Sequence, residues 1–251
     1  MRHSSSGERS QGTRIARIRC HGELVDLLRR ELRVQPFEWP VAQGATVKHA
    51  VETLDIPHTE LGEVRVDGRA ADLGTVLAGG ESVEVFAAGA ERDAGEGETR
   101  FLADAHLGAL ARRLRLLGFD TVVAGDGSDT ELAELAQTEH RIVLSRDREL
   151  LKHRRVLRGR LIRSTDPDDQ VVEVLERFAL KDALRPFSRC LECNAPLRAV
   201  ARALVADRLP PSVAAGHSEF TLCSGCGRVY WPGSHWNRLR ARVDAIRGRL
   251  A

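Results

Sequence analysis

Four of the five cysteines fall into two Cys-x-x-Cys pairs, Cys190-Leu-Glu-Cys193 and Cys223-Ser-Gly-Cys226, separated by 29 residues. Thiolates at that internal spacing make a tetrahedral four-sulfur shell, and Zn²⁺ is the ion that suits it. A closed shell of four sulfurs leaves no open position, so the expected Zn²⁺ is structural. The interval is longer than the common spacing of about 15–20 residues. It holds the apolar-periodic Leu197, Val200 and Leu204 and the Pro210-Pro211 pair. A redox dithiol reading lacks the strand–helix context that such a motif needs. His217 and His235 lie nearby, but the cysteines already complete the shell. The opening stretch MRHSSSGERSQGTR has no apolar core behind its basic residues, so it reads as a polar tail and not a secretory signal. Disulfides are then a poor default, and a cytoplasmic location is expected. A membrane association is not expected either, because no run of about 18 apolar residues occurs.

Around the cysteines, three blocks emerge. In the first, 14–88, Ile15, Arg17, Ile18 and Cys20 alternate as in a strand, with Phe37 to Val41 as a hairpin partner. Val47, Ala50, Val51 and Leu54 have helical spacing, with Thr46 as N-cap. Short strands follow at Glu63 to Val66 and Ser82 to Phe86, with turns at Asp67-Gly68 and Gly79-Gly80. Residues 89–99, Gly- and Glu-rich without apolar periodicity, form a linker. The second block, 100–186, alternates strands and helices. Strands are expected at Arg100 to Ala103, Thr121 to Ala124, Arg141 to Ser145 and Arg160 to Arg163. Helices are expected at His106 to Leu117, Thr130 to His140 and Asp168 to Phe178. That alternation means an α/β fold, a parallel sheet with helices on both faces. The third block, 187–251, contains the cysteines and a terminal helix, His235 to Leu250, with Trp236, Leu239, Val243 and Ile246 on one face.

Charge is distributed unevenly over these blocks. Residues 1–99 carry 12 basic and 17 acidic side chains, residues 100–149 carry 7 and 9, and residues 150–251 carry 19 and 10. The basic excess in the last part fits a polyanionic partner. Coding bias competes as an explanation for the choice of Arg, since only three Lys occur.

In a parallel sheet, ligands bind beyond the carboxyl ends of the strands. Asp104 follows the first strand of the second block, Asp129 opens the helix after the second, and Asp147 lies just past the third. Asp166 follows the fourth strand. Carboxylates gathered at one edge repel each other, and a hard divalent cation such as Mg²⁺ or Mn²⁺ relieves that repulsion. Asp104, Asp129 and Asp147 also have structural alternatives. Asp104 and Asp129 can serve as helix caps, Ser128 and Glu131 form a capping box, and Asp147 can pair with Arg146 or Arg148.

Phe101-Leu102-Ala103-Asp104, the run Leu107-Gly108-x-Leu110-Ala111-Arg112-x-Leu114-Arg115-x-Leu117-Gly118-Phe119-Asp120, and Arg141-Ile142-Val143-Leu144-Ser145-Arg146-Asp147 together resemble the PIN-like ribonuclease domain named after the C-terminal part of the nematode exonuclease Mut-seven. Ser188-Arg189-Cys190-x-x-Cys193-Asn194 and Cys223-x-x-Cys226-Gly227-x-x-Tyr230-Trp231-x-Gly233-Ser234-His235-Trp236 are similar to that family's zinc ribbon. The first block resembles a ubiquitin-like β-grasp domain. Its end reads Phe86-Ala87-Ala88-Gly89-Ala90, not a free Gly-Gly, so sulfur-carrier chemistry is not expected and an unidentified protein partner is. The resemblance implies a Mg²⁺- or Mn²⁺-dependent ribonuclease with Asp104, Asp129 and Asp147 as catalytic acids. Asp126 competes with Asp129, and Glu131 or Asp166 is available as a fourth acid. The implied partner is RNA (tRNA, rRNA or mRNA) or the ribosome. Contacts to it are expected from Arg112, Arg146, Arg148, Trp231, His235 and Arg238, because RNA is read by stacking of unpaired bases and by cations on phosphates. A non-catalytic RNA- or ribosome-binding protein is the alternative, and cleavage of DNA is a third reading.

Overall fold

The computed structural model describes residues 14–90, 99–125 and 127–250. The N-terminal polar stretch, most of the 89–99 segment and Asp126 lie outside them. The chain divides into two compact units, one ending at Ala88 and one starting at Gly89. Among the described residues no helix is long and apolar enough to cross a membrane.

The first unit runs β1 (Arg14–His21), α1 (Leu24–Leu27), β2 (Phe37–Val41), α2 (Val47–Thr53), β3 (Leu61–Val66), β4 (Arg69–Ala71) and β5 (Ser82–Ala87). Its mixed sheet has the order β2-β1-β5-β3-β4, in which β1 and β5 are parallel and β1–β2 is the expected antiparallel hairpin pair. The alternation in β1 works as anticipated: Ala16, Ile18 and Cys20 are buried and Arg17 and Arg19 are exposed. Val47 and Val51 of α2 are buried as well, as are Leu54, Val83 and Val85. Thr46 caps α2, its Oγ1 accepting from the His49 N–H at 3.2 Å, a contact worth about 1 kcal/mol. The β3–β4 turn has positive φ at both Asp67 and Gly68, the geometry that favours Asp-Gly in a tight hairpin. This arrangement is consistent with a β-grasp. The sequence pattern missed β4 and α1, which are too short for any periodicity to show.

The second unit begins β6 (Arg100–Ala103), α3 (Gly108–Leu116), β7 (Asp120–Val123), α4 (Asp129–Thr138), β8 (Ile142–Ser145), α5 (Arg148–Lys152), β9 (Gly159–Leu161) and α6 (Pro167–Arg177). These strands form an all-parallel sheet in the order β7-β6-β8-β9. Apart from Arg100 at the start of β6 and Ser145 at the end of β8, the central strands are apolar because both faces are covered. Phe101, Ala103, Ile142 and Leu144 pack with Leu110 and Leu114 of α3 and with Val171, Val174, Leu175 and Phe178 of α6. Leu102 and Val143, alternating with them, are equally buried. The sheet is consistent with a PIN-like fold. The fourth strand and the last helix of the block lie within two residues of their expected bounds.

The chain continues through β10 (Leu197–Val200), α7 (Pro211–Gly216), β11 (Phe220–Cys223) and β12 (Val229–Tyr230) to α8 (Ser234–Arg249). The three strands form an antiparallel sheet in that order. Helix α8 is part of the packing around the parallel sheet. Val243 and Ile246 enter the same core as α6, each burial stabilising by about 1.5–3 kcal/mol. Arg242 pairs with Asp168 at 3.3 Å and Arg249 with Asp169 at 2.7 Å, so some of the basic charge of α8 serves docking onto α6.

Two local features tie the cysteine segment to the parallel sheet. The first is Gly118, just past α3, with φ +99°. Its backbone is crossed by residues 185–188: Arg185 N–H donates to the Leu117 carbonyl at 2.8 Å and Phe187 N–H to the Leu116 carbonyl at 2.9 Å. A Cβ there would overlap the Arg185 carbonyl and come within 2.8 Å of Ser188 Oγ. The second is a polar clamp on the edge strand β7. Asn194 accepts from Thr121 N–H at 3.0 Å and donates to Asp120 at 2.8 Å. Asp120 also takes Arg141 at 2.7 Å, with Arg189 at 3.6 Å. The buried Arg115 donates to the carbonyls of Thr121 at 2.8 Å, Leu191 at 3.1 Å and Glu192 at 2.8 Å.

Gly118→Ala should therefore destabilise by more than about 2 kcal/mol, since both φ and the contact are unfavourable, and a urea melt reads it. Burial alone would raise the Asp120 carboxyl, but hydrogen bonds from Arg141 and Asn194 and the charges of Arg141 and Arg189 outweigh it and hold the pKa below the usual range. A depressed native pKa contributes stability above the unfolded value of about 4, and that contribution is lost as pH falls through the native value. Asp120→Asn should unfold at a lower urea midpoint than the parent at pH 7, and the gap should close below about pH 4. A gap that stays constant with pH would show that the Asp120 charge contributes nothing.

Candidate functional site

The parallel sheet sends the chain from β6 to β7 on one side and then across to β8 on the other. The carboxyl ends of β6 and β8 are therefore where the following connections part, and a crevice opens at such a point. Asp104 and Asp147 sit there, and Ser145, the last residue of β8, joins them. Ser145 is fully buried, and its Oγ donates to Asp104 Oδ2 at 2.7 Å while accepting from the Asp147 N–H at 2.9 Å. The Asp104 N–H donates to the Leu144 carbonyl at 2.9 Å, which extends the β6–β8 pairing up to the acid itself. Asp147 Oδ1 accepts from the Glu149 N–H at 2.8 Å and caps α5. Asp104 Oδ1 and Asp147 Oδ2 have no hydrogen-bond partner among the described residues. Each aspartate thus keeps one carboxylate oxygen without a hydrogen bond at the carboxyl edge of the sheet.

The other acids are placed differently. Asp129 is the first residue of α4 and is exposed. Glu131 completes the capping box, its Oε2 accepting from Ser128 N–H at 2.7 Å and Oγ at 2.9 Å; the backbone bond and then the hydroxyl bond hold its pKa down. Asp166 caps α6, accepting from the N–H groups of Asp168 at 2.8 Å and Asp169 at 3.1 Å, and these bonds lower its pKa. Both candidate fourth acids are engaged as caps. Asp126, the competitor of Asp129, lies outside the described residues.

Among the described residues, one group of three or more candidate metal-ligating side chains converges: Cys190, Cys193, Cys223 and Cys226, whose sulfurs lie within 4.8 Å of one another. Cys190 and Cys226 Sγ are 3.7 Å apart and Cys193 and Cys223 Sγ 3.3 Å. A metal–sulfur bond of about 2.3 Å in a tetrahedron separates sulfurs by about 3.8 Å, so the cluster is close to the size a metal ion needs. The backbone N–H of Ala195 draws the Cys193 thiol down to about 6, while burial pushes Cys223 up to about 11. The Tyr230 hydroxyl stands 3.1 Å from Cys190 Sγ and can donate to it, the outer-shell contact that orients a ligand. Tyr230 and Ser145 were legible as residues of their motifs but not as partners, since neither bond has a sequence spacing of its own.

Of the expected RNA contacts, Arg146 is exposed beside Asp147, and Arg148 begins α5. Arg112 on α3 pairs with Glu192 at 3.0 Å and remains half exposed. Arg112, Trp231 and His235 line one cavity of about 950 Å³ between α3, the antiparallel sheet and the start of α8. Arg238 is exposed on α8.

Comparison with the curated proteins found no match, and neither did comparison with the solved structures. Two family models do match. Residues 13–92 match the one described as Mut7-C ubiquitin, and residues 99–243 match the one described as Mut7-C RNAse domain. The second match spans more than half of the chain and takes in the parallel sheet, both cysteine pairs and the Asp104–Ser145–Asp147 junction: the chain belongs to the Mut7-C RNAse domain family, with a ubiquitin-like domain in front.

Proposed function

We propose that this protein is a Mg²⁺- or Mn²⁺-dependent ribonuclease that hydrolyses RNA phosphodiester bonds at the carboxyl edge of β6 and β8. The observation that carries the reading is the Ser145-linked pair of aspartates at the strand crossover, each with one carboxylate oxygen without a hydrogen bond among the described residues. Hard oxygen donors of this kind fit a divalent cation. Asp104 and Asp147 would hold the ion, with Asp129 as the third acid; Glu131 and Asp166, the candidates for a fourth, would have to give up their capping bonds to join them. When bound, the ion supplies a deprotonated water and neutralises the charge that develops on the phosphate. Ser145 keeps Asp104 turned toward the crevice. Arg146 and Arg148, adjoining Asp147 in sequence, offer guanidinium groups to the phosphates of the strand, the pairing for which Arg geometry is suited.

The four cysteines fit a structural Zn²⁺. They complete a closed shell, and the small antiparallel sheet around them has a core of only Val205, Leu209 and Phe220, with partly buried neighbours. A module with so little apolar core needs a staple. In this reading the segment is a zinc ribbon, the protein acts in the cytoplasm on tRNA, rRNA or mRNA, and the ubiquitin-like domain docks a protein partner.

A second reading is a non-catalytic RNA- or ribosome-binding protein. One observation favours it: among the described residues, Asp104, Asp129 and Asp147 do not converge as a three-ligand group, whereas the cysteines do.

A cleavage assay over tRNA, rRNA, mRNA and single-stranded DNA separates the readings. The parent should cleave RNA with added Mg²⁺ or Mn²⁺ and not without. Asp104→Asn and Asp147→Asn should each lower the rate at least about 100-fold, the scale of losing a charge that acts in the transition state. Ser145→Ala should lower kcat more than it raises KM. No turnover in any divalent ion would establish the binding-protein reading. Elemental analysis should find one zinc per chain, unchanged in Asp104→Asn and lost in Cys193→Ser/Cys226→Ser.

A further inference from the structure

The cavity between α3, the antiparallel sheet and the start of α8 has a construction that the hydrolytic site does not explain. Its volume of about 950 Å³ lies within the range of about 300–1,000 Å³ typical of small-molecule and cofactor sites. Five of the chain's eleven aromatic residues line it: Phe187, Phe220, Tyr230, Trp231 and Trp236. Their roles differ. The Trp236 ring is already occupied, stacked on Phe187 at 5.2 Å and approached by the Arg240 guanidinium at 5.3 Å. Trp231 is half-buried against the small core of the antiparallel sheet, yet among the described residues it has no ring partner, no cation partner and no acceptor for its indole N–H. An aromatic side chain held by packing but with its ring and N–H unused is a stacking platform.

The polar groups at the cavity narrow the occupant. Arg112, Arg228 and His235 stand around it, and Arg228 and His235 form no ion pair among the described residues. Glu219 supplies a carboxylate acceptor, also without a salt-bridge partner among them. Residues 187–251 carry ten Arg against four Asp and Glu. An apolar peptide would use the aromatic rings and leave the cations without a role. A nucleotide uses all three kinds of group: the ring stacks, the carboxylate accepts from an amino or imino edge, and the guanidinium groups meet phosphate.

We propose that this cavity receives an unpaired base of the RNA, stacked on Trp231, with the adjoining phosphates on Arg112, Arg228 and His235, so that the substrate class is RNA presenting a single-stranded or looped segment. The proposal deepens the ribonuclease reading and rests on it for the identity of the polymer. Duplex RNA, whose bases are stacked within the helix, cannot offer a base to the cavity.

Fluorescence anisotropy with the full chain tests it, in buffer without added Mg²⁺ or Mn²⁺ so that no cleavage intervenes. Three labelled probes of equal length are used: an unstructured RNA, an RNA duplex and an abasic ribose-phosphate strand. The unstructured RNA should bind at least about tenfold more tightly than the other two, because only it offers a base to stack. Trp231→Ala should remove that advantage and leave the abasic strand unchanged, while Trp231→Phe should keep most of it. Zinc content should match the parent in both variants, and Trp231→Ala, which loses packing on the small core, should lower Tm while remaining folded at the assay temperature. A nucleoside monophosphate should compete, and a leucine-rich amphipathic peptide should not. The proposal is overturned if the abasic strand binds as tightly as the RNA, if Trp231→Ala has no effect, if Trp231→Phe loses as much as Trp231→Ala, or if the peptide competes and the nucleotide does not. Cleavage by Asp104→Asn is scored separately: parent-like cleavage there overturns the hydrolytic site and leaves the Trp231 result standing.

Discussion

Strands β6 and β8 have no face open to water. Phe101, Leu102 and Ala103 of β6 and every residue of β8 are buried, with helices packed over the sheet. A polar group in the middle of either strand would be stranded there without water, at a penalty of about 1–3 kcal/mol or more. Chemistry is therefore confined to the strand ends. At the carboxyl end the backbone pairing continues up to Asp104, and Ser145 is the last buried residue before Asp147 reaches solvent. Its hydroxyl is satisfied by the two aspartates on either side, which settles its own burial and fixes their relation. The same constraint that makes the sheet stable thus sets where an acidic site is possible.

The cysteine segment is joined to this sheet through polar contacts as well as through apolar ones. Asn194, one residue beyond the first cysteine pair, takes both the backbone of β7 and the Asp120 carboxylate. Arg115 reaches from α3 to the carbonyls of Leu191 and Glu192 inside that pair. A guanidinium has five donors in a fixed fork, so three buried carbonyls can be satisfied at once. Metal held by the cysteines would therefore be coupled to the edge strand and to α3. Helix α8 completes the second unit by burying Val243 and Ile246 and pairing Arg242 and Arg249 with α6. The basic excess of the third block divides accordingly, part of it in docking and part, including Arg228 and Arg238, exposed to solvent.

Much of this was legible from residue order. The run Ile142-Val143-Leu144 announced a strand buried on both faces. Ser128 with Glu131 announced the start of α4, and the structure shows the reciprocal capping bonds. The face Trp236, Leu239, Val243, Ile246 identified the packing side of α8. What it packs against was not legible, because Asp168 and Asp169 lie more than 70 residues earlier and carry no spacing relation to Arg242 and Arg249. Arg115 is a similar case. It is 8 % exposed because its partners come from the loop of a distant cysteine pair, which no spacing along α3 announces. For the site, the positions of Asp104 and Asp147 followed from the strand pattern; the capping role of Glu131 competed with a catalytic role in the sequence and is what the structure displays, whereas the cap that Asp166 forms on α6 was not read from the sequence. The Ser145 bridge depends on two strands being adjacent in register, which pattern alone does not specify.

On the proposed reading, the carboxyl edge of β6 and β8 holds a divalent cation. Electron paramagnetic resonance of added Mn²⁺ addresses it without reference to any substrate. The parent should bind Mn²⁺, and Asp104→Asn and Asp147→Asn should each weaken that binding by at least about tenfold, or about 1.4 kcal/mol, with zinc content unchanged. Equal Mn²⁺ affinity in the parent and both variants would contradict it.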